Sequence, residues 1–305
     1  CVQNINAYYD IGYYPRENLP LLNLQDYMYM GIPKCYTLAD KSALEASNIL
    51  ILQNQPALDL KGRGVLVGFV DTGIDYTNPL FRKSDGTTRI KGIWDQTRPE
   101  GESPEGFLYG TLYTEEMINR ALASPEPMEA VPSGDEIGHG TFLAGVTAGG
   151  ENAENNFIGA VPEASIAVVK CKQAKEYLRE FYFIPEDAPC YQENDLMSGV
   201  AWLNALADAL EMPLVVCIAM GSNMGPHDGS GPLSVYLNDI GLRLRREVSI
   251  AAGNEASARH HYRGSGIRQG NEEDVEMSVG KGVRGFTMEF WAVAPELYQI
   301  TILSP

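Results

Sequence analysis

One stretch constrains this chain more than any other: Gly64-Val65-Leu66-Val67-Gly68-Phe69-Val70-Asp71-Thr72-Gly73-Ile74-Asp75. A continuous apolar run ends abruptly in Asp-Thr-Gly. Such a run predicts a strand buried on both faces, as in a parallel sheet. An acidic residue at its carboxyl end stands where open α/β sheets place their active sites. Gly73 lets the backbone turn there without a Cβ clash. Taken alone, Asp71 reads equally well as a helix N-cap after a buried strand.

The elements downstream fit such a sheet. Gly138-His139-Gly140-Thr141 opens a segment rich in Gly and Ala, which predicts a helix packed very close to a sheet. His139 stands at its head. Ser165-Ile166-Ala167-Val168-Val169-Lys170 predicts the next strand. Residues 195–210 predict a helix, with Leu196, Val200, Leu203, Leu206 and Leu210 near helical period. Residues 214–220 predict a buried strand opening into Gly221-Ser222-Asn223. A helix over 233–246 and a strand over 248–252 follow, the latter running into Gly253-Asn254-Glu255. Strand, helix, strand, helix, strand is a doubly wound α/β pattern, with helices on both faces of a parallel sheet.

Between these elements the chain is less regular. Residues 76–134 are long and proline-bearing, with an expected edge strand at 90–95. Thr114 is the expected N-cap of a helix to Leu122, with Glu115 and Glu116 in its first turn. Residues 171–194 read as an inserted loop. Residues 1–60 form a lead-in arm with a short helix, and 61–270 the main domain. From about Asn271 the apolar residues alternate near period two, at 275–279, 285–293 and 298–302. That predicts antiparallel strands, the start of an inserted β module over 271–305.

Composition excludes some function classes. Lys and Arg total 23 against 40 Asp and Glu, a formal charge of −17. Phosphate repels such a surface, which argues against a nucleic-acid partner. No window approaches ~18 uninterrupted apolar residues, so no membrane span is expected. Five cysteines show no CxxC spacing. Cys217 reads as a buried thiol; reduced cysteines are expected, with a Cys171–Cys190 bridge left open. His227, His260 and His261 do not read as a metal site.

Three polar groups stand at element ends: Asp71, His139 and Asn254. In acyl transfer an imidazole takes the nucleophile's proton and a carboxylate fixes its tautomer. A carboxamide can donate to a developing oxyanion. Around these residues the sequence resembles the subtilisin-like serine proteases, or subtilases. The resemblance is carried by Val70-Asp71-Thr72-Gly73-Ile74, by Gly138-His139-Gly140-Thr141 with Ala144-Gly145, and by Ala251-Ala252-Gly253-Asn254-Glu255. Gly159-Ala160-Val161-Pro162-Glu163-Ala164 resembles the segment after that family's His helix. The order Asp, His, Asn is the family's order, and the likeness covers roughly residues 60–260. Gly31-Ile32-Pro33-Lys34-Cys35-Tyr36, the insert before His139 and the late β module are similar to the clostridial spore-germination subtilases and their gut-bacterial relatives. There a jelly-roll domain interrupts the catalytic domain.

The resemblance implies that Asp71 orients, His139 is the general base and Asn254 the oxyanion donor. It implies that Ala219, Met220 and Gly221 pair with substrate backbone, while Ala251, Ala252 and Gly253 line the pocket before the scissile bond. The implied activity is peptide hydrolysis through an acyl-enzyme. The implied partners are a peptide or protein substrate and a propeptide, whose tail residues 1–35 would hold. The sequence departs from the family twice. Gly86-Thr87, Gly110-Thr111 and Gly140-Thr141 are the only Gly-Thr steps, and none continues into the family's Gly-Thr-Ser. The expectation is a C-terminal truncation, with the serine beyond Pro305 and these residues alone inactive. The alternative is a pseudoprotease kept for binding or regulation. The loop 149–159 looks shorter than the one that wraps a strong calcium site in secreted subtilisins, so no cofactor or metal is carried over.

Overall fold

A computed structural model describes residues 2–4, 10–12, 44, 47–55, 57–253, 259–264, 266–292 and 295–303. The chain divides into two units, Cys1–Asp40 and Lys41–Pro305. In the first, β1 (Val2–Asn4) pairs antiparallel with β2 (Asp10–Gly12). The second opens with the short helix α1 (Ile49–Gln53) and then builds a six-stranded sheet.

The apolar run forms β3 (Leu66–Asp71), buried along its whole length. It is followed by β4 (Ile90–Asp95), β5 (Thr111–Thr114), β6 (Ser165–Lys170), β7 (Leu214–Ile218) and β8 (Arg246–Ile250). Their order across the sheet is β5-β4-β6-β3-β7-β8. All neighbours are parallel except β4 and β5. In β3, Asp71 is in register with Lys170 of β6, and Phe69 with Cys217 of β7.

Side chains of β3 alternate between two cores, because successive residues of a strand face opposite ways. Leu66 and Val70 join Val169, Val200, Leu203 and Val216 on one face. Val67 and Phe69 join Ile93, Ile118, Ala144 and Val168 on the other. The first face is covered by α6 (Glu193–Ala209) and α7 (Pro232–Gly241). The second is covered by α2 (Glu115–Leu122) and α4 (His139–Ala148). The result is the doubly wound α/β architecture with helices on both faces of a mainly parallel sheet. The Thr114 hydroxyl caps α2, accepting from the Met117 amide at 3.4 Å.

Several expectations need correction. Residues 90–95 are not an edge strand, because β5 lies outside them. Ile90, Ile93 and Trp94 are fully buried, and an edge place would leave the backbone of so apolar a strand half unpaired. The region 76–134 also holds the one-turn helix α3 (Pro127–Ala130), and 171–194 holds α5 (Glu176–Phe181). Within 171–194, Arg179 gathers the carbonyls of Pro185 at 2.8 Å and Ala188 at 2.7 Å, giving the segment order that its composition hid. The helix expected to reach residue 246 stops at Gly241. The chain then reverses through Arg245, in the left-handed region at φ 65°, and Arg246 begins β8. The period-two stretches at 275–279, 285–292 and 298–302 form no strand among the described residues. Val275, Met277 and Val279 stay about half exposed, and among the described residues no strand pairs with their segment. Cys217 is only partly buried, and Cys171, Cys190 and Cys217 are free thiols.

Candidate active site

Asp71 is the last residue of β3 and its side chain is 0% exposed. Its Oδ1 lies 2.7 Å from Nδ1 of His139, the first residue of α4. The same oxygen accepts from the Thr72 amide at 2.8 Å. Asp71 Oδ2 has no hydrogen-bond partner among the described residues. The imidazole is 49% exposed. A buried carboxylate thus stands behind a half-exposed ring. A carboxylate can only accept, so Nδ1 carries the hydrogen, and in the neutral ring Nε2 then holds the lone pair.

This approach depends on two glycines. Gly73 turns the chain after Asp71 at φ +126°, and a Cβ there would stand 2.6 Å from the Gly134 carbonyl oxygen. A Cβ on Gly140 would stand 2.2 Å from the Gly73 carbonyl oxygen. Backbone therefore meets backbone where β3 ends and α4 begins. Gly140, Ala144, Gly145 and Ala148 are the buried residues of α4, the small-residue face that its sequence predicts.

The loop before α4 is pinned to the carboxyl ends of three strands. Ser133 Oγ donates to Asp95 Oδ2 at 2.7 Å. Buried Lys170 donates to the Gly134 carbonyl at 2.9 Å and pairs with Glu136 at 2.6 Å. Burial pushes the Glu136 carboxyl up, but the Lys170 ammonium outweighs it and holds the group below its ordinary range. Asp135 is the centre of the loop. Its Oδ1 accepts from the Thr72 hydroxyl at 2.7 Å and the Gly138 amide at 2.9 Å. Its Oδ2 accepts from the Thr141 amide at 2.8 Å and the Thr141 hydroxyl at 2.7 Å. Burial raises the Asp135 pKa, but these donors prevail and hold it below the ordinary carboxylate value.

The other predicted residues fall at the same end of the sheet. Ala219 and Met220, half-buried, and Gly221, exposed, leave the carboxyl end of β7. Ala251, Ala252 and Gly253 are exposed and leave β8; the Ala251 amide donates to the Ile218 carbonyl at 3.0 Å. Asn254 lies outside the described residues. The structure thus brings Asp71 and His139 into contact and places the two other segments on neighbouring strand ends. Asp135, Thr72 and Lys170 are not among the site residues expected from sequence. The signal for Asp135 is its place: an acidic residue four positions before a helix-opening His lies within reach of that helix's first amides. Among the described residues, no group of three or more His, Cys, Asp or Glu could hold a metal ion.

Comparison with known proteins agrees with this fold. A model described as Subtilase family matches residues 62–276. Among solved structures, the CspB protease of Clostridium perfringens is 33% identical with a TM-score of 0.60, the alignment covering 71% of this chain and 42% of that one. Subtilisin-like proteases SBT2.1 and SBT2.2 of Arabidopsis thaliana are 32% and 31% identical over 125 and 126 residues, 36% of this chain and 15% of each relative. The chain spans less than half the length of any of these relatives. The family match spans both Asp71 and His139, the segments that meet at 2.7 Å. This chain belongs to the subtilase family.

Proposed function

We propose that this chain supplies the aspartate and histidine of an Asp-His-Ser triad in a serine endopeptidase. The observation that carries the reading is the 2.7 Å contact between buried Asp71 and half-exposed His139. Asp71 fixes the tautomer and ring orientation of His139 and stabilises the imidazolium that forms. His139 Nε2 takes the proton of the nucleophilic hydroxyl and later returns it to the leaving amine. The serine comes from outside these 305 residues, which hold no Gly-Thr-Ser step. Asn254 donates to the oxyanion of the tetrahedral intermediate, a contact worth about 3 kcal/mol of barrier, a figure measured in subtilisin itself. Ala219, Met220 and Gly221 offer backbone to an extended substrate by β-augmentation, and Ala251 to Gly253 form the wall of the pocket for the residue before the scissile bond. The substrate is a peptide or protein, with a propeptide as an internal partner.

The test is turnover of a panel of chromogenic peptides by the full-length protein and two variants. Wild type is expected to cleave at least one peptide. Asp71→Asn, which allows the wrong imidazole tautomer, should lose about 10⁴-fold in kcat. His139→Ala should lose at least as much. Cleavage by both variants at the wild-type rate would overturn the proposal.

A further inference from the structure

We infer that Asp135 is a positioning residue for the Asp71–His139 pair, acting through the Thr72 hydroxyl and the first turn of α4. The inference rests on the protease reading and assigns a further residue to its machinery. Thr72 is the joint. Its amide donates to Asp71 Oδ1 at 2.8 Å, while its hydroxyl donates to Asp135 Oδ1 at 2.7 Å. That same hydroxyl oxygen accepts from the Gly140 amide at 2.9 Å. Asp135 in turn accepts from the amides of Gly138 and Thr141, either side of His139 and Gly140. One carboxylate therefore ties down both the strand end that carries Asp71 and the helix start that carries His139.

The arrangement differs from an ordinary helix cap. A cap holds one helix end, whereas Asp135 bridges two elements whose only direct catalytic contact is a single 2.7 Å bond. Every partner of Asp135 donates: two amides and two hydroxyls. An amide side chain at this position cannot match that set. One of its ends is an NH₂, which would face either the Thr141 amide or the Gly138 amide, donor against donor. The joint between β3 and α4 would then loosen by the fraction of an ångström that separates a good hydrogen bond from a poor one.

The test uses the full-length protein with Asp135→Asn, Thr72→Val and Thr72→Ser. Two readouts apply: kcat and KM for a cleaved peptide, and the low-field proton NMR resonance of the imidazole N–H shared with Asp71. Asp135→Asn and Thr72→Val should each shift or broaden that resonance. They should lower kcat about tenfold to a hundredfold with little change in KM, as expected for a misplacement of up to ~1 Å. Thr72→Ser keeps the hydroxyl and should restore both readouts. A lowered melting temperature with the resonance and kcat unchanged would make Asp135 a structural cap and overturn the inference. Should Asp135→Asn fail to fold, the Val and Ser variants at Thr72 decide it. Should no peptide be cleaved, the resonance still decides it, so its failure and that of the protease reading are separable.

Discussion

Replacing Gly140 with alanine sets two effects against each other. Alanine is favoured over glycine by at most about 1 kcal/mol in a helix, and Gly140 is only the second residue of α4. Against that, the new Cβ would stand 2.2 Å from the Gly73 carbonyl oxygen and 3.2 Å from Asp71 Cβ. The nearer obstacle is backbone, so it cannot swing aside. Ordinary contact begins at 3.4 Å, so α4 must retreat by 3.4 − 2.2, about 1.2 Å, from the end of β3. Overpacking of this kind costs about 1–3 kcal/mol, which exceeds the propensity gain. The expected net loss is up to about 2 kcal/mol. The same retreat, taken along the His139–Asp71 contact, stretches 2.7 Å to about 3.9 Å, beyond hydrogen-bond range. Gly145 in the same helix is the control, since a Cβ there meets nothing within 4 Å. Urea midpoints of Gly140→Ala and Gly145→Ala, with the low-field imidazole resonance, check this directly. Gly140→Ala should lose stability and the resonance, while Gly145→Ala keeps both. A midpoint for Gly140→Ala equal to or above wild type, with the resonance intact, would refute the close-approach argument.

Other consequences follow from buried polar groups. Gln53 is buried and its Nε2 donates to the carbonyls of Gly159 and Ala160, each at 2.8 Å; Gln53→Ala leaves both without that donor and should cost about 1–3 kcal/mol by urea denaturation. Because its donors hold the folded Asp135 pKa below the unfolded value of about 3.9, Asp135 stabilises above that pH and its contribution is lost as pH falls through the folded pKa. Stability measured from about pH 6 downward should therefore fall less steeply below about pH 4 in Asp135→Asn than in wild type. Among the described thiols, Cys190 is half-buried, whereas burial pushes the Cys171 thiol up, and burial with the nearby Asp71 charge pushes Cys217 up. Iodoacetamide mapped by mass spectrometry should modify Cys190 first and Cys171 last.

Legibility in the sequence tracks how local the cause is. The strand at 165–170 has the predicted bounds, since a buried parallel strand writes its own apolar run. The head of α4 is legible because His139 lies between Gly138, which turns the chain at φ +85°, and Gly140, where backbone meets backbone. The place of β4 is not, because Lys91 and Gly92 interrupt its apolar run and the short β5 that covers it has only four residues. Asp135 is one acid among several in a loop, and its partner Thr72 is 63 residues away, a range that no spacing rule reports. The period-two stretches beyond 270 show the converse. Their pattern is that of strands, yet pattern alone supplies neither a ladder partner nor a surface to cover.

In the proposed triad Asp71 and His139 activate a serine. The most direct measurement of that activation is treatment of the full-length protein with a fluorophosphonate probe, followed by mapping of the adduct by mass spectrometry. One labelled serine is expected, outside residues 1–305, with labelling lost in His139→Ala. No adduct on a protein shown to be folded, or an adduct that survives His139→Ala, would contradict it.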